Sequence, residues 1–406
     1  MSTALDAARS RGPVGTLPAD RAAPTSDRVS HGRRDLPSLT GLRWVAAFLV
    51  FAFHTSGWGV RTSSWWHLGQ FGFIGVSFFF VLSGVVLTWS ARPGQTTRGF
   101  YWRRFARVYP SHAVTAVIAI GLYLYVMPPH KDLWAGLVAL VLLHAWVPVA
   151  GVYSAANGVS WSLSCEAFFY ALFPGLTRLL STWSRRRRTV FVAFVLTTCS
   201  SLALLGSFAA NGRYDTAAYM SPAVRAGEFV LGLALGLALR EGWVPRVRVG
   251  AAWAATAVAV VVALAVGALR GWPVPRGFAD VVAVGPLALV LVAYAGRDLT
   301  GRDTWMARPW AVYLGQLSFA FYLVHQLVLD LVMKRLLPLS DPSVVDIVWR
   351  AGIGLALSVL AAMAVHHGVE LRAQRLLTRR RASAQPAQVV PYPDEVRSAD
   401  LARVAS

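Results

Sequence analysis

The chain has 406 residues, 56% of them hydrophobic and only 14% charged, with a mean hydropathy of +0.51. Soluble chains carry about 25% charged residues, so this composition excludes a soluble globular domain and marks an integral membrane protein. The net charge of +20 does not point to nucleic acid, because the arginines sit in short clusters between apolar runs and build no continuous basic domain.

Residues 1–36 are polar, rich in Ala, Arg, Pro and Ser, with six arginines and no apolar core. They are expected to be a disordered cytoplasmic tail rather than a cleavable signal peptide. Apolar spans follow near 40–57, 71–90, 108–127, 160–182, 189–209, 222–240, 249–269, 279–295, 310–333 and 347–369. Each is near the 17–25 residues that a bilayer requires, which predicts an all-α protein of about ten transmembrane helices over residues 37–371. A second polar tail, 372–406, is expected to be disordered and cytoplasmic.

One further run, "LWAGLVALVLLHAWVPV" at 133–149, is ambiguous, and positive charge resolves it. If it does not span, the arginine-rich loops at 91–107, 183–188, 240–248 and 296–309 and the C-terminal tail all fall on the side of a cytoplasmic N-terminus. As a full span it would place Arg185 to Arg188 outside. It is therefore expected to be re-entrant or interfacial, with both termini cytoplasmic.

Several spans keep ionisable residues, which cost several kcal/mol at bilayer depth and usually face a protein interior. "GLRWVAAFLVFAFHTSG" (41–57) carries Arg43 and His54. Eleven steps of about 100° bring them within about 20° on one helix face, about 16 Å apart along the axis. An arginine anchor reaching for the interface is the plainer account of Arg43. "FYWRRFARVYP" (100–110) gathers Arg103, Arg104 and Arg107, either a topology anchor or a clamp for phosphates. "WSLSCEAFFYALFP" (161–174) puts Glu166 inside a span, for a proton relay or a structural ion pair. "RAGEF" (225–229) pairs Arg225 with Glu228 in an expected salt bridge, and "LGQLSFAFYLVHQ" (314–326) carries Tyr322 and His325. The two cysteines, Cys165 and Cys199, lie in apolar runs and form neither a disulfide framework nor a metal-ligand pattern.

In this order the stretches resemble the acyltransferase-3 family of integral membrane O-acyltransferases, over residue 40 to about 370. The family's first helix has a basic residue, ten others, then histidine, as Arg43 and His54 do here. "GVSFFFVLSGVVLTWS" (75–90), "RRFARVYP" (103–110), "WSLSCEAFFYALFP" and "LGQLSFAFYLVHQ" are similar to its other motifs. Ser77 departs from the pattern where many members carry aspartate, Ala167 replaces a second glutamate, and Cys165 stands where valine is usual. "GVSFFFVLSG" with "LTWSARP" looks closest to actinomycete members that acylate macrolides and related antibiotics. No esterase-like domain follows the last span, so transfer is expected to be completed within the membrane part.

The resemblance implies a multi-pass protein of the bacterial cytoplasmic membrane that moves an acyl group from acyl-CoA to a hydroxyl of a sugar or macrolide-type metabolite. Acetyl-CoA or a short-chain acyl-CoA would be a co-substrate, with no permanently bound cofactor, no metal and no nucleic-acid partner. Its phosphates would sit on Arg103, Arg104 and Arg107, with Arg43. His54 would be the general base, with Glu166 on the imidazole's other nitrogen, as in hydrolase triads. Ser83, Trp161, Tyr170, Tyr322 and His325 are the expected oxyanion or acceptor contacts. A proton-coupled transporter or flippase is the alternative, since intramembrane Arg, His and Glu also build ion pathways.

Overall fold

The computed structural model describes residues 35–57, 69–92, 94–126, 132–149, 151–209, 214–270, 273–338 and 343–382, and every regular element among them is helical. Residues 1–34 and 383–406 of the expected tails lie outside the described residues. In chain order the helices are α1 (Pro37–Ser56), α2 (Ile74–Trp89, entered through a tight turn at Gln70–Phe73), α3 (Thr97–Tyr125) and α4 (Leu133–Leu140). There follow α5 (Trp161–Thr182), α6 (Arg185–Phe208), α7 (Asp215–Met220), α8 (Pro222–Arg240) and α9 (Val249–Arg270). The last four are α10 (Arg276–Leu299), α11 (Pro309–Leu331), α12 (Val344–Val365) and α13 (Leu371–Ala382).

Nine helices among the described residues are long and apolar enough to cross a membrane, and the protein is an all-α integral membrane protein. The tenth expected span, α5, has 22 residues and at about 1.5 Å each is long enough. It falls short on composition, because Glu166, Arg178 and several Ser and Thr residues interrupt it. The ambiguous run does not span. Its helix α4 has 8 residues, about 12 Å against a hydrocarbon core of about 30 Å. The chain then turns at Leu142, whose φ is 61°, and Ser164 on α5 donates to the Leu142 carbonyl at 2.6 Å. One expectation needs correction. The C-terminal tail was placed from 372, but α12 continues through a wide turn, His366–Glu370, into α13. Trp102 Nε1 donates to the Leu377 carbonyl at 2.7 Å and ties α13 to α3.

Local chemistry sets the helix ends. Pro37 opens α1 at a position whose N–H has no intrahelical partner. Ser38 then fastens that end to α10, its Oγ 2.5 Å from Asp298 Oδ1 and its backbone N–H 3.0 Å from Oδ2. Ser343 and Asp346 form a reciprocal capping box on α12. Arg188 binds Glu241 with both terminal nitrogens, at 2.5 and 2.6 Å, joining α6 to the end of α8. That guanidinium holds the Glu241 carboxyl below its usual range.

The site is positioned by two seams, α2 against α8 and α1 against α11, which are the most extensive helix pairs. Along the second, a Cβ on Gly315 would overlap the Thr40 carbonyl, and one on Gly41 would overlap that of Met306 in the turn Trp305–Ala307 that leads into α11. Only glycine lets the backbones approach so closely, the small-residue packing that membrane helices favour.

Candidate functional site

Two cavities lie beside these seams. The first, of about 110 Å³, is lined by three arginines. Arg43 from α1 and Arg104 and Arg107 from α3 line it with Glu166 and Tyr170 from α5 and Ser83 from α2. Arg43 Nε donates to Ser318 Oγ on α11 at 3.2 Å. The second cavity, of about 240 Å³, holds His54 with Trp161, Tyr219, Arg276 and Gln326. Val76 and Tyr322 belong to the walls of both, so the two cavities abut.

His54 is held by an unexpected partner. His325, fully buried on α11, places its Nε2 3.0 Å from His54 Nδ1. His325 Nδ1 faces the Phe321 carbonyl at 3.2 Å, and a carbonyl only accepts, so Nδ1 carries the proton. In neutral His325 the Nε2 is then an acceptor. His54 Nδ1 therefore carries the proton that faces it, and the Val50 carbonyl, 3.0 Å from the same nitrogen, demands the same tautomer. Nε2 of His54 is left with a free lone pair. That is the state a proton-abstracting base needs.

The expected link from Glu166 to His54 is not formed. Glu166 Oε1 accepts from Tyr170 OH at 2.5 Å and from Ser83 Oγ at 3.3 Å. It lies in the basic cavity, where its charge sits among the arginines, while His54 lies in the other. The same bonds correct a second expectation. Ser83 and Tyr170 direct their O–H groups to Glu166 and not toward the histidine. Trp161 and Tyr322 do share a cavity with His54. Tyr322 OH bonds to Ser162 Oγ at 2.9 Å and reaches the Val159 carbonyl at 3.1 Å.

The arginine cluster divides as well. Arg104 and Arg107 reach the cavity wall and Arg103 does not. Adjacent residues of a helix point about 100° apart, so Arg104 turns to the cavity while Arg103 beside it is exposed.

A second charged group was only half visible in the sequence. Arg225 pairs with Glu228 at 3.2 Å, as expected, and also with Asp280 of α10. Ser77 Oγ donates to Asp280 Oδ1 at 2.6 Å and accepts from Arg225 Nη2 at 2.8 Å. The guanidinium also lies over the Tyr219 and Phe80 rings, 4.8 and 5.3 Å from their centroids. Position 77, where aspartate was expected, is thus served by a carboxylate from another helix. A lone aspartate in an apolar span was the signal for it. A buried His366–Glu370 pair at 2.9 Å was missed too, although "HHGVE" carries the same kind of signal. Cys165 is buried in packing, as expected, with its Sγ toward the Met220 carbonyl at 3.6 Å.

Comparison with known proteins agrees with this architecture. Residues 36–367 match the acyltransferase-3 description "Acyltransferase domain". The chain is 35% identical over 385 residues to Acyltransferase MdmB of Streptomyces mycarofaciens, covering 88% of this chain and 95% of that one. It is 27% identical over 273 residues to the exopolysaccharide production protein ExoZ of Rhizobium meliloti, covering 66% and 80% of the two chains. Over 169 residues it is 29% identical to the peptidoglycan O-acetyltransferase OatA of Listeria monocytogenes, covering 38% of this chain and 26% of that one. No solved structure matches. The transporter or flippase alternative finds no support in these relatives. The chain belongs to the acyltransferase-3 family of multi-pass membrane acyltransferases.

Proposed function

We propose that the protein transfers an acyl group from acyl-CoA to an acceptor hydroxyl, with Nε2 of His54 as general base. The observation that carries this reading is the His54–His325–Phe321 chain, which leaves the Nε2 lone pair of His54 free in a cavity abutting a cluster of three arginines. Arg43, Arg104 and Arg107 match a polyanionic carrier, since guanidinium forks bind phosphate bidentately. In the proposed orientation the basic cavity opens to the cytoplasm, where the charge pattern of the loops places both termini, and the thioester passes between Val76 and Tyr322.

The reaction is then a single acyl transfer. His54 Nε2 takes the hydroxyl proton as the acceptor oxygen attacks the thioester carbon. The carbon–sulfur bond breaks, and the imidazolium returns the proton to the leaving thiolate, giving the ester and CoA–SH. The acceptor is proposed to be a hydroxyl of a sugar or macrolide-type metabolite and the acyl group acetyl or another short chain. The O-acetyltransferase named among the relatives supports an acetyl group and a hydroxyl acceptor, and the small volume beside His54 suits a short acyl chain. Protein purified into lipid nanodiscs, given acetyl-CoA and a hydroxylated acceptor, is expected to release free CoA. His54→Ala should reduce that release by about 10²–10⁴. Near-wild-type release from the folded variant would remove His54 from the mechanism.

A further inference from the structure

Gln326 follows His325 on α11 and lines the cavity that contains His54. Its Oε1 is shielded and has no hydrogen-bond partner among the described residues, although buried acceptors are nearly always satisfied. Across from it stands Gly158, where a Cβ would come within 3.0 Å of Oε1 and 3.1 Å of Nε2. Any larger residue there would crowd the amide. Several of the lining residues are aromatic. Trp161 and Tyr219 have centroids 4.9 Å apart, and Tyr219 packs edge-on against Phe73. The Arg276 guanidinium is already turned to Thr216 Oγ1, at 2.7 Å. Gln326 Oε1 is thus an unpartnered acceptor among the described residues of this cavity.

An amide oxygen only accepts, so its missing partner is a donor. Aromatic walls suit the C–H faces of a saturated ring. The volume of about 240 Å³ is below the roughly 300–1,000 Å³ of drug-sized sites, and fits one ring rather than a macrocycle. We propose that Gln326 is the acceptor-selecting residue, accepting a hydrogen bond from a second hydroxyl beside the one that His54 deprotonates, so that the cavity takes a vicinal diol on a saturated ring, as in a sugar. This rests on the reading of His54 as the base. A site built to hydrogen-bond a hydroxyl rejects the analogue without it, because its buried polar group is then left unpaired.

Two probes differing in one hydroxyl test the proposal: 1,2-cyclohexanediol and cyclohexanol, each offered with acetyl-CoA to the purified full-length protein. The wild type is expected to acylate the diol with kcat/KM about 10²-fold or more above that of the mono-alcohol. Gln326→Leu should bring the ratio close to one. Gln326→Met, nearer in shape, gives the same reading if the leucine variant folds poorly. The ratio is internal to each protein, so differences in yield or stability cancel. No preference in the wild type, no acylation of the diol by protein that releases CoA in water, or an unchanged ratio in both variants would each overturn the role of Gln326. CoA release that is insensitive to His54→Ala would instead overturn the reading of the base.

Discussion

His325 Nε2 and His54 Nδ1 lie 3.0 Å apart, joining residues 271 positions distant in sequence. The contact fixes which nitrogen of His54 is free. His325 touches no reacting atom and acts as a positioning residue. His325→Leu removes the acceptor opposite His54 Nδ1 and leaves only the Val50 carbonyl to hold the tautomer. The expected result is a fall in kcat smaller than the roughly 10²–10⁴ attributed to the base itself, with KM for acyl-CoA unchanged. His325→Gln, whose amide oxygen also accepts, should recover part of the loss. An equal loss in both variants, or a change in KM alone, would argue for a role in packing.

The split of the arginine cluster predicts unequal effects. Arg43→Ala, Arg104→Ala and Arg107→Ala each remove a charged donor from the cavity. Hydrogen bonds to charged groups contribute about 1.5–3 kcal/mol, so KM for acyl-CoA should rise by roughly 10-fold or more in each. Arg103→Ala should leave KM within about 5-fold, since exposed charge pairs contribute only about 0–1 kcal/mol. Steady-state kinetics with acyl-CoA varied measure this directly, and a uniform effect across all four would mean that the cavity does not define the phosphate site.

Glu166 offers a test of its placement away from the histidine. Glu166→Gln keeps an acceptor for Tyr170 and Ser83 but removes a negative charge from the donor cavity. KM for acyl-CoA is therefore expected to fall, with kcat close to wild type. A carboxylate orienting a catalytic histidine behaves otherwise, costing about 10⁴ in kcat when made an amide. A loss of that size would return Glu166 to the base.

The Arg225 group predicts a compensated exchange. Asp280→Ala leaves a buried guanidinium short of a counter-charge, and breaking such a pair costs about 3–5 kcal/mol. The midpoint of thermal unfolding in detergent should drop. Ser77→Asp combined with Asp280→Ser carries the carboxylate back to α2, within reach of the same arginine. The double variant should regain most of the midpoint, and a double variant as unstable as Asp280→Ala would refute the equivalence of the two positions.

Much of this fold was legible because hydrophobic span length is a strong, local signal. All ten expected spans coincide with helices, and the arginine distribution correctly kept 133–149 from spanning. Arg43 and His54 were legible for the same reason, as two costly residues on one helix face. What escaped was the pairing between helices. Nothing near His54 in sequence announces that its partner is His325 rather than Glu166, because both are ionisable residues in apolar spans and only tertiary packing chooses. Asp280 was hidden in the same way. The helical run past residue 371 was missed because a polar, arginine-rich segment reads as a solvated tail until its contact with Trp102 is known.

The glycine seam between α1 and α11 carries both Arg43, bonded to Ser318, and His54, bonded to His325. Arg43 and His54 both belong to α1, whose axis holds them about 16 Å apart like the jaws of a caliper, and the close approach of the backbones at Gly315 and Thr40 keeps Ser318 and His325 in register with them. Under the proposed mechanism a carrier gripped at Arg43 presents its thioester at one fixed reach. Donor choice then becomes a measurement of length: thioesters on a shortened arm, such as N-acetylcysteamine, would have to arrive at His54 without that grip.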